Sequence, residues 1–281
     1  MPELPEVETV ARRLNEVAAG AVLERIVIND KKIALPGRKV LNGAALRRVY
    51  RAGKTVALEF DAGGSMPLLQ IHLRMTGRLF WIEKGADIVH TFDGYVNAVK
   101  GVGRKHCRAR FYFDTGSLLF VDPRRFGTIK IAADESDLDI PGADPSTAAF
   151  TLAVFRELLA DSSQNIKLWL LRQDKITGLG NIYASEILFD AGVHPERPVN
   201  SLTSDEIKRL HRAIKKILRS AIKHCGTTFS DFQSSEGSLG EYQNYLKVYG
   251  RAGCGCSDCG AEITRLVQGQ RSTFYCPDCQ V

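Results

Sequence analysis

Residues 256–279 read CSDCGAEITRLVQGQRSTFYCPDC, with two Cys-x2-Cys pairs separated by sixteen residues. Each pair supplies two thiolates from one turn, and residues 261–275 form a hairpin between them. Two disulfides are the alternative, but we expect an unsecreted protein in a reducing compartment, where disulfides are rare. The spacing therefore predicts a C-terminal zinc ribbon that binds one zinc ion through Cys256, Cys259, Cys276 and Cys279.

Three further cysteines lie outside this pattern. Cys254 precedes the first ligand by two residues, so it either competes for the metal or is spare. Cys107 and Cys225 have no evident general base in the neighbouring sequence. We therefore expect both to lie in packed surroundings and not to act as nucleophiles.

Composition and net charge limit the classes of protein to which the chain can belong. The chain has 281 residues, of which 44% are hydrophobic and 25% charged, enough for more than one domain with a real core. The formal net charge of +6 is compatible with a polyanionic partner but does not establish one. Neither a membrane-length apolar run nor a secretory signal is present, so we expect a soluble, intracellular protein.

Apolar periodicity predicts a helix followed by strands. The helical face comprises Val7, Val10, Ala11, Leu14 and Val17, and Gly20 ends the helix. Alternating apolar residues then mark strands up to about residue 133, which suggests a β-sandwich. These residues are Val56, Leu58 and Phe60, then Leu69, Ile71 and Leu73, then Phe111 and Phe113.

Residues 134–146 are acidic and contain proline and glycine, which predicts a linker. The period beyond them is helical. Thr203 and Glu206 predict a capping box at the start of a long helix, with Gly226 as its end. Upstream, a glycine-rich turn leads into a short helix at Asn181, which either caps that helix or contacts a phosphate at its N-terminus.

The N-terminus reads Met1-Pro2-Glu3-Leu4-Pro5-Glu6. Removal of Met1 would expose a secondary amine close to two carboxylates. An α-amino group has a pKa near ~8, against ~10.4 for lysine, so more of it is neutral and nucleophilic at pH 7. The alternative is that the prolines and acids merely start the helix.

Seven motifs in this order resemble bacterial formamidopyrimidine-DNA glycosylases over the whole chain. They are PELPE at 2–6, the Lys54 turn, IHLRMTG at 71–77, DPRRFG at 122–127, GNIYASE at 180–186, VYGR at 248–251 and QRSTFYC at 270–276. The resemblance implies an α+β multidomain fold. Its expected parts are a catalytic β-sandwich domain with an N-terminal helix (1–133), a linker (134–150), a helix-two-turn-helix DNA-binding domain with a lesion-capping loop (151–250) and a zinc finger (251–281).

The resemblance also implies a bifunctional DNA glycosylase and AP lyase. Such an enzyme excises 8-oxoguanine and formamidopyrimidines from duplex DNA and cleaves the strand by β,δ-elimination. Pro2 would attack C1′, Glu3 would protonate the ring oxygen, and Glu6 would order the site or a water. Five residues would bind the phosphates that flank the lesion: Lys54, His72, Asn181, Tyr249 and Arg271. Of these, Lys54 and Arg271 are also expected to be catalytic residues.

Three implied residues would fill the gap left by the extruded base: Met75, Arg124 and Phe126. Core packing is the alternative for Met75 and Phe126. Lys167 lies where the family often has a lysine near the lesion, and a solvated helix charge is its alternative. Residues 227–241 correspond to the loop that closes over the base. Residues 87–104 are the clearest departure from the family because this stretch is longer; it is either a surface insertion or a change that alters substrate access.

Two other functions compete with this one. A sister class acts mainly on oxidised pyrimidines and shares the terminal proline, but it typically has glycine where this chain has Leu4. A catalytically silent zinc-ribbon DNA-binding protein is the third, and the joint presence of Pro2, Glu3, Lys54 and Asn181 argues against it. The expected partner is damaged double-stranded DNA, and no membrane is expected to take part. The resemblance implies a monomeric, cytoplasmic protein of bacterial type that is associated with the nucleoid through DNA.

Overall fold

The computed structural model describes residues 2–85, 89–91, 106–138, 140, 142–227 and 240–281. Most of the stretch 87–104 and of the loop 227–241 lies outside these residues, as does Met1. The chain forms two compact units. The first unit comprises Met1–Asp139 and His224–Glu241, and the second unit comprises Ile140–Lys223 and Tyr242–Val281.

The first unit begins with helix α1, Leu4–Ala18. The apolar face predicted from the sequence is buried, including Val7 and Leu14. Glu3 caps the helix through a capping box with Glu6, so acidic side chains satisfy N–H groups at the positive end of the helix. The helix ends at Ala18, slightly before the predicted Gly20.

Among the described residues of this unit, nine strands follow in two antiparallel sheets. The first sheet has the order β2-β3-β4-β9 and the second has the order β1-β7-β8-β5-β6. The strands are β1 Leu23–Ile28, β2 Ala45–Ala52, β3 Thr55–Asp61, β4 Leu68–His72, β5 Arg78–Glu83, β6 Val89–Thr91, β7 Cys107–Phe113, β8 Gly116–Val121 and β9 Thr128–Ala132. Short 3-10 helices occupy Arg38–Leu41 and Glu135–Asp137.

One apolar core joins α1 to both sheets and includes Leu14, Phe60, Trp81 and Phe111. This packing confirms the predicted sandwich. Strand β3 differs from the expected alternation because Ala57 and Glu59 are buried as well. Both faces of this strand are therefore covered.

The second unit is helical up to its C-terminal hairpin. Its elements are α2 Leu152–Leu159, α3 Ile166–Leu170, α4 Asn181–Ala191, α5 Ser204–Lys223, the 3-10 helices Val199–Ser201 and Tyr242–Tyr245, and the strands β10 Thr264–Gln268 and β11 Arg271–Tyr275. The predicted capping box is present, because Thr203 N–H donates to Glu206 Oε2 at 2.7 Å and Glu206 N–H donates to Thr203 Oγ1 at 3.3 Å. Helix α5 ends at Lys223, three residues before Gly226.

Helix α4 is the central element of the second unit. Eight consecutive residues, 182–189, are buried, and the helix packs against α3, α5 and β11. Its uniform burial explains why it lacks an amphipathic pattern. Among the described residues, no helix is both long and apolar enough to cross a membrane.

Candidate functional site

The N-terminal segment holds two carboxylates against the start of α1. Glu3 is buried, and its side chain accepts a hydrogen bond from the Glu6 N–H. Glu6 Oε2 in turn accepts the Glu3 N–H at 2.8 Å. The capping box therefore fixes the backbone and carboxyl of Glu3, the residue that directly follows Pro2.

Glu6 makes a second set of contacts with the start of the 227–241 loop. Its Oε1 accepts the Thr227 N–H at 2.7 Å and the Thr227 hydroxyl at 3.1 Å. Gly226 has φ +78°, and a Cβ at this position would lie 2.5 Å from Glu6 Oε1. Gly226 is thus needed for close approach to the carboxylate, a role that its predicted position as a helix stop did not include.

Lys54 lies in the two-residue turn between β2 and β3, as predicted, and is largely buried. Arg51, which no sequence pattern singled out, ties this turn to α1. Its Nε lies 2.8 Å from Glu8 Oε2, and its Nη1 donates to the Gly53 carbonyl at 3.1 Å. The Lys54 turn and the helix capped by Glu3 therefore belong to one connected framework.

His72 ends β4 opposite Thr55 in the neighbouring strand. The Arg74 N–H donates to His72 Nδ1 at 3.1 Å, which leaves the proton of the neutral ring on Nε2. Burial, assisted by the positive charges of Arg74 and Lys54, lowers the pKa of His72 to about 4. At neutral pH this imidazole is an uncharged hydrogen-bond donor.

Met75 and Phe126 are 47% and 51% exposed. Core packing, the alternative for both, is therefore wrong. The Arg124 guanidinium carbon lies 4.8 Å from the centroid of the Phe126 ring, a cation–π contact at the surface. We call the segments that carry these residues, 73–77 and 122–127, the wedge loops.

Buried Asp122 joins the two wedge loops. Its carboxylate accepts the Gly127 N–H at 2.8 Å and the Arg124 N–H at 3.2 Å, and it also accepts the Thr76 hydroxyl. The peptide groups next to Phe126 are consequently fixed although its ring is exposed. Asp122 begins the motif DPRRFG, but the motif alone did not predict this role.

A second carboxylate anchors the same segment. Asp30 forms a bidentate contact with the Arg125 guanidinium, and its oxygen also lies 3.8 Å from Arg108 Nε. The Arg125 hydrogen bond, against opposing desolvation, lowers the pKa of Asp30 to about 2. This ion pair explains how Arg125 tolerates a left-handed backbone, with φ 60°.

In the second unit, Lys167 is fully buried in α3. Its Nζ donates to Asn181 Oδ1 at 2.7 Å, to Thr273 Oγ1 at 2.7 Å and to the Ser272 carbonyl at 3.3 Å. The alternative of a solvated helix charge is therefore wrong. Burying an ammonium is costly unless every donor has a partner, and three acceptors provide these partners here.

Asn181 is not a helix cap, because Gly180 occupies the N-cap position. Its Nδ2 donates to the Ser272 carbonyl at 2.7 Å, while Oδ1 accepts from Lys167. The lysine thus fixes which end of the amide carries the N–H groups. One amide hydrogen remains for an acceptor outside this network.

The segment carrying Tyr249 is held by buried Glu186, another residue with no role assigned from the sequence. Its carboxylate accepts the N–H groups of Lys247, Val248 and Tyr249 at 2.8–3.0 Å. Burial raises the pKa of Glu186, opposed by these hydrogen bonds. The Tyr249 ring packs edge-on against Phe274 at 5.1 Å between ring centroids.

Arg271 begins β11 directly after a two-residue hairpin turn and is exposed. Both turn residues, Gly269 and Gln270, have positive φ, as two-residue hairpins of this type require. Because the next residue, Ser272, accepts hydrogen bonds from Lys167 and Asn181, the start of β11 is tied to the N-terminus of α4.

The four predicted cysteine ligands cluster, with all sulfurs within 4.8 Å of one another. Cys256 and Cys279 sulfurs are 3.9 Å apart, and those of Cys259 and Cys276 are 3.4 Å apart. Tetrahedral zinc with Zn–S bonds of about 2.3 Å needs sulfur separations of about 3.8 Å, so the donor set fits the metal.

The remaining cysteines differ in their surroundings. Cys254 is exposed and is not part of the cluster. Cys107 is buried, and burial raises the pKa of its thiol. Cys225 is half-buried and its sulfur lies 3.5 Å from Arg13 Nη2.

Family models match three consecutive parts of the chain. Residues 1–129 match the formamidopyrimidine-DNA glycosylase N-terminal domain, and residues 142–233 match the H2TH domain of the same glycosylase. Residues 256–281 match a zinc finger found in FPG and IleRS. The chain belongs to the formamidopyrimidine-DNA glycosylase family. This confirms the resemblance, the multidomain fold class and the zinc ion predicted from the sequence.

Relatives and solved structures support the family assignment along the whole chain. The formamidopyrimidine-DNA glycosylase of Heliobacterium modesticaldum is 38% identical over 291 residues and covers 100% of both chains. Lactococcus lactis Fpg, solved in complex with DNA containing an abasic site, is 35% identical with a TM-score of 0.83 and 99% coverage of both chains. MutM (Fpg) from Thermus thermophilus is 34% identical with a TM-score of 0.82, covering 99% of this chain and 98% of that one.

Proposed function

We propose that this chain is a base-excision repair glycosylase for oxidised purines in duplex DNA, with AP lyase activity. The observation that carries the proposal is the N-terminal segment, where the capping box of Glu3 and Glu6 holds the residue after Pro2. Family membership supplies the substrate class. Related structures contain an abasic site or a Fapy-dG lesion in DNA.

In the proposed reaction the Pro2 nitrogen acts as the nucleophile after Met1 is removed. Its lone pair forms a bond to C1′ of the damaged nucleotide while the bond from C1′ to the base breaks, and the base leaves with that electron pair and takes up a proton. The nitrogen then loses its proton, and protonation of the ring oxygen by Glu3 opens the sugar to an iminium. The positive iminium makes the neighbouring sugar proton acidic, which permits β,δ-elimination of the flanking phosphates.

DNA contacts come from both units. In the first unit, Lys54 and the Nε2–H of His72 would bind phosphates, while Met75, Arg124 and Phe126 would replace the extruded base in the stack. In the second unit, Asn181, Tyr249 and Arg271 would bind phosphates. The zinc ion would hold the hairpin that presents Arg271, and we assign it no part in the bond-breaking steps.

We infer that residues 1–133, 151–250 and 251–281 are the functional domains and that residues 134–150 are a linker. The enzyme would act on damaged double-stranded DNA as a monomer. The named relatives favour oxidised purines over oxidised pyrimidines, as does Leu4. Sedimentation of the protein with a lesion duplex tests the stoichiometry of one chain per duplex.

Borohydride trapping tests the nucleophile. Protein lacking Met1 should become covalently linked to a duplex with one 8-oxoguanine, because borohydride reduces the iminium to a stable amine. Protein that retains Met1 is the control, since its Pro2 nitrogen is an amide. Equal trapping with Met1 retained would exclude Pro2, and absence of excision and trapping on every oxidised base would favour the silent DNA-binding protein.

Glu3→Gln separates proton donation from binding. The amide preserves shape but carries no acidic proton, so excision should fall while affinity for the lesion duplex persists. Unchanged excision would make Glu3 a structural residue.

A further inference from the structure

The outer face of α5 is uniformly cationic. After Asp205, every exposed residue of this helix is a lysine or an arginine. We call these residues the α5 stripe: Lys208, Arg212, Lys216, Arg219 and Lys223. At 1.5 Å per residue, the stripe extends about 22 Å along the helix.

Few acids neutralise the stripe. Lys208 lies 2.9 Å from Asp205, and Lys216 lies 2.5 Å from Asp190. Within the part of the chain that the structure describes, no ion pair is formed by Arg212, Arg219 or Lys223. Like charges three or four residues apart destabilise a helix, and only the last turn gains from the helix dipole. The stripe therefore carries an electrostatic cost in the protein alone.

The stripe is separated from the phosphate-binding residues proposed above. Helix α5 packs on α4 through its apolar face, which includes Leu210, Ile214 and Leu218. Helix α4 also packs against β11, and residues 182–189 are buried. The stripe therefore lies on the face of α5 that is not packed on α4, whereas Asn181 begins α4 and Arg271 begins β11.

We propose that the α5 stripe binds the phosphate backbone of a second, undamaged segment of duplex DNA. The stripe offers regularly spaced charge without exposed apolar residues. Protein interfaces are instead depleted in lysine and have apolar centres, and a membrane-surface helix needs an exposed apolar face. Duplex DNA presents one negative charge per about 1.7 Å of axis, which matches an elongated, purely cationic surface.

This inference rests on the proposed function for its ligand class, but its test does not require excision. The variant Arg212→Gln/Arg219→Gln/Lys223→Gln removes the three unpaired charges while keeping residues of similar helix propensity. The matched control is Lys31→Gln/Lys32→Gln/Lys39→Gln, which removes the same charge from exposed positions of the first unit.

The first measurement is the salt dependence of binding to a long undamaged duplex. Each phosphate contact contributes about 0.9 to the slope of log affinity against log salt, so the stripe variant should lose up to about 2.7. The control should keep the wild-type slope. An unchanged slope in the stripe variant, or an equal loss in the control, would overturn the proposal.

The second measurement identifies the segment. Wild-type protein saturated with a short lesion duplex should still bind a long undamaged duplex in a slower-migrating ternary complex, and the stripe variant should not. Loss of slope without a ternary complex would assign the stripe to the flanks of one duplex and contradict a second segment. Failure to excise any lesion with the ternary complex intact would refute the proposed function alone.

Discussion

The wedge loops and the C-terminal hairpin of β10 and β11 both present exposed side chains from a fixed backbone. Different groups fix the backbone in the two regions. In the wedge loops, buried Asp122 accepts backbone N–H groups beside Arg124 and Phe126. In the hairpin, four clustered cysteines form the expected zinc site, and buried Lys167 donates to Ser272 and Thr273.

The two regions should therefore need different groups in order to fold. The wedge loops extend from the sandwich and need only protein groups that form when the sheets fold. The hairpin is too short to have much core of its own, so its fold depends on the metal. The exposed residues of the wedge loops and of the hairpin are thus held independently. Removing the groups that hold one region should leave the other region intact.

Loss of zinc should produce the largest difference between the two regions. Structural zinc contributes an apparent binding free energy of about 10–16 kcal/mol in short zinc-finger peptides at pH 7. Cys276→Ser should therefore reduce DNA affinity and strand cleavage together while circular dichroism shows a folded sandwich. Arg271→Ala is the control that keeps zinc and should lower the salt slope by about 0.9. Full activity in protein shown by elemental analysis to lack zinc would contradict the prediction.

Lys167→Met should have the next largest effect. The substitution leaves Asn181 Oδ1 and Thr273 Oγ1 without their lysine donor, at a cost of about 1–3 kcal/mol for each buried unsatisfied group. Thermal unfolding should show this loss, and DNA affinity should fall because Asn181 loses its orientation. Lys175→Met, at a half-buried position of the same unit, is the control. Equal stability of the two variants would mean that the lysine network has no structural role.

Asp122→Asn tests the wedge anchor with a side chain of the same shape. An amide has only one acceptor oxygen, so it cannot serve all three donors from Arg124, Gly127 and Thr76. We expect about 1–3 kcal/mol of destabilisation and reduced base extrusion, with zinc retained. The control is Asp114→Asn, because Asp114 is exposed and accepts the Val22 N–H. An unaltered extrusion rate would exclude Asp122 as the anchor.

The exposed wedge side chains should matter little for stability. Phe126→Ala and Met75→Ala should each change the free energy of unfolding by less than about 0.5 kcal/mol, because both side chains are exposed in free protein. Fluorescence of a base analogue at the lesion should nonetheless report reduced extrusion. Normal extrusion in both variants would remove these residues from the proposed mechanism.

At neutral pH, where the ring is already uncharged, His72 has the smallest expected effect on stability. Its folded pKa of about 4 lies below the ordinary value, so protonation favours the unfolded state. The stabilising contribution of the neutral ring is complete above pH 6.5 and declines as pH falls from 6.5 to 4. His72→Gln should abolish this part of the pH dependence of stability. An imidazole pKa near 6.5, measured by NMR in the free protein, would contradict the assignment.

The sequence predicted the elements whose signals are local. Cysteine spacing located the hairpin, the Thr203 and Glu206 pair located the start of α5, and alternation located strands β3, β4 and β7. Ordered motifs identified the family. Exact helix ends were less accurate, because Ala18 and Lys223 end their helices before the nearest glycine.

The supporting residues were not predicted because their partners are distant in the chain. Asp122 contacts Thr76, and Glu186 contacts residues 247–249. A lysine in an otherwise ordinary helix gives no sign of burial, so Lys167 was left between two alternatives. Its three acceptors, contributed by residues 181, 272 and 273, exist only in the folded unit.

Amide hydrogen exchange before and after zinc removal tests most directly whether the two regions have independent supports. Exchange should accelerate at the amides of β10 and β11 when zinc is removed, because these hydrogen bonds lose their metal support. The amides of Arg124 and Gly127, held by Asp122, should keep their original protection. Acceleration at Arg124 and Gly127 as well, or continued protection of β10 and β11, would contradict the account.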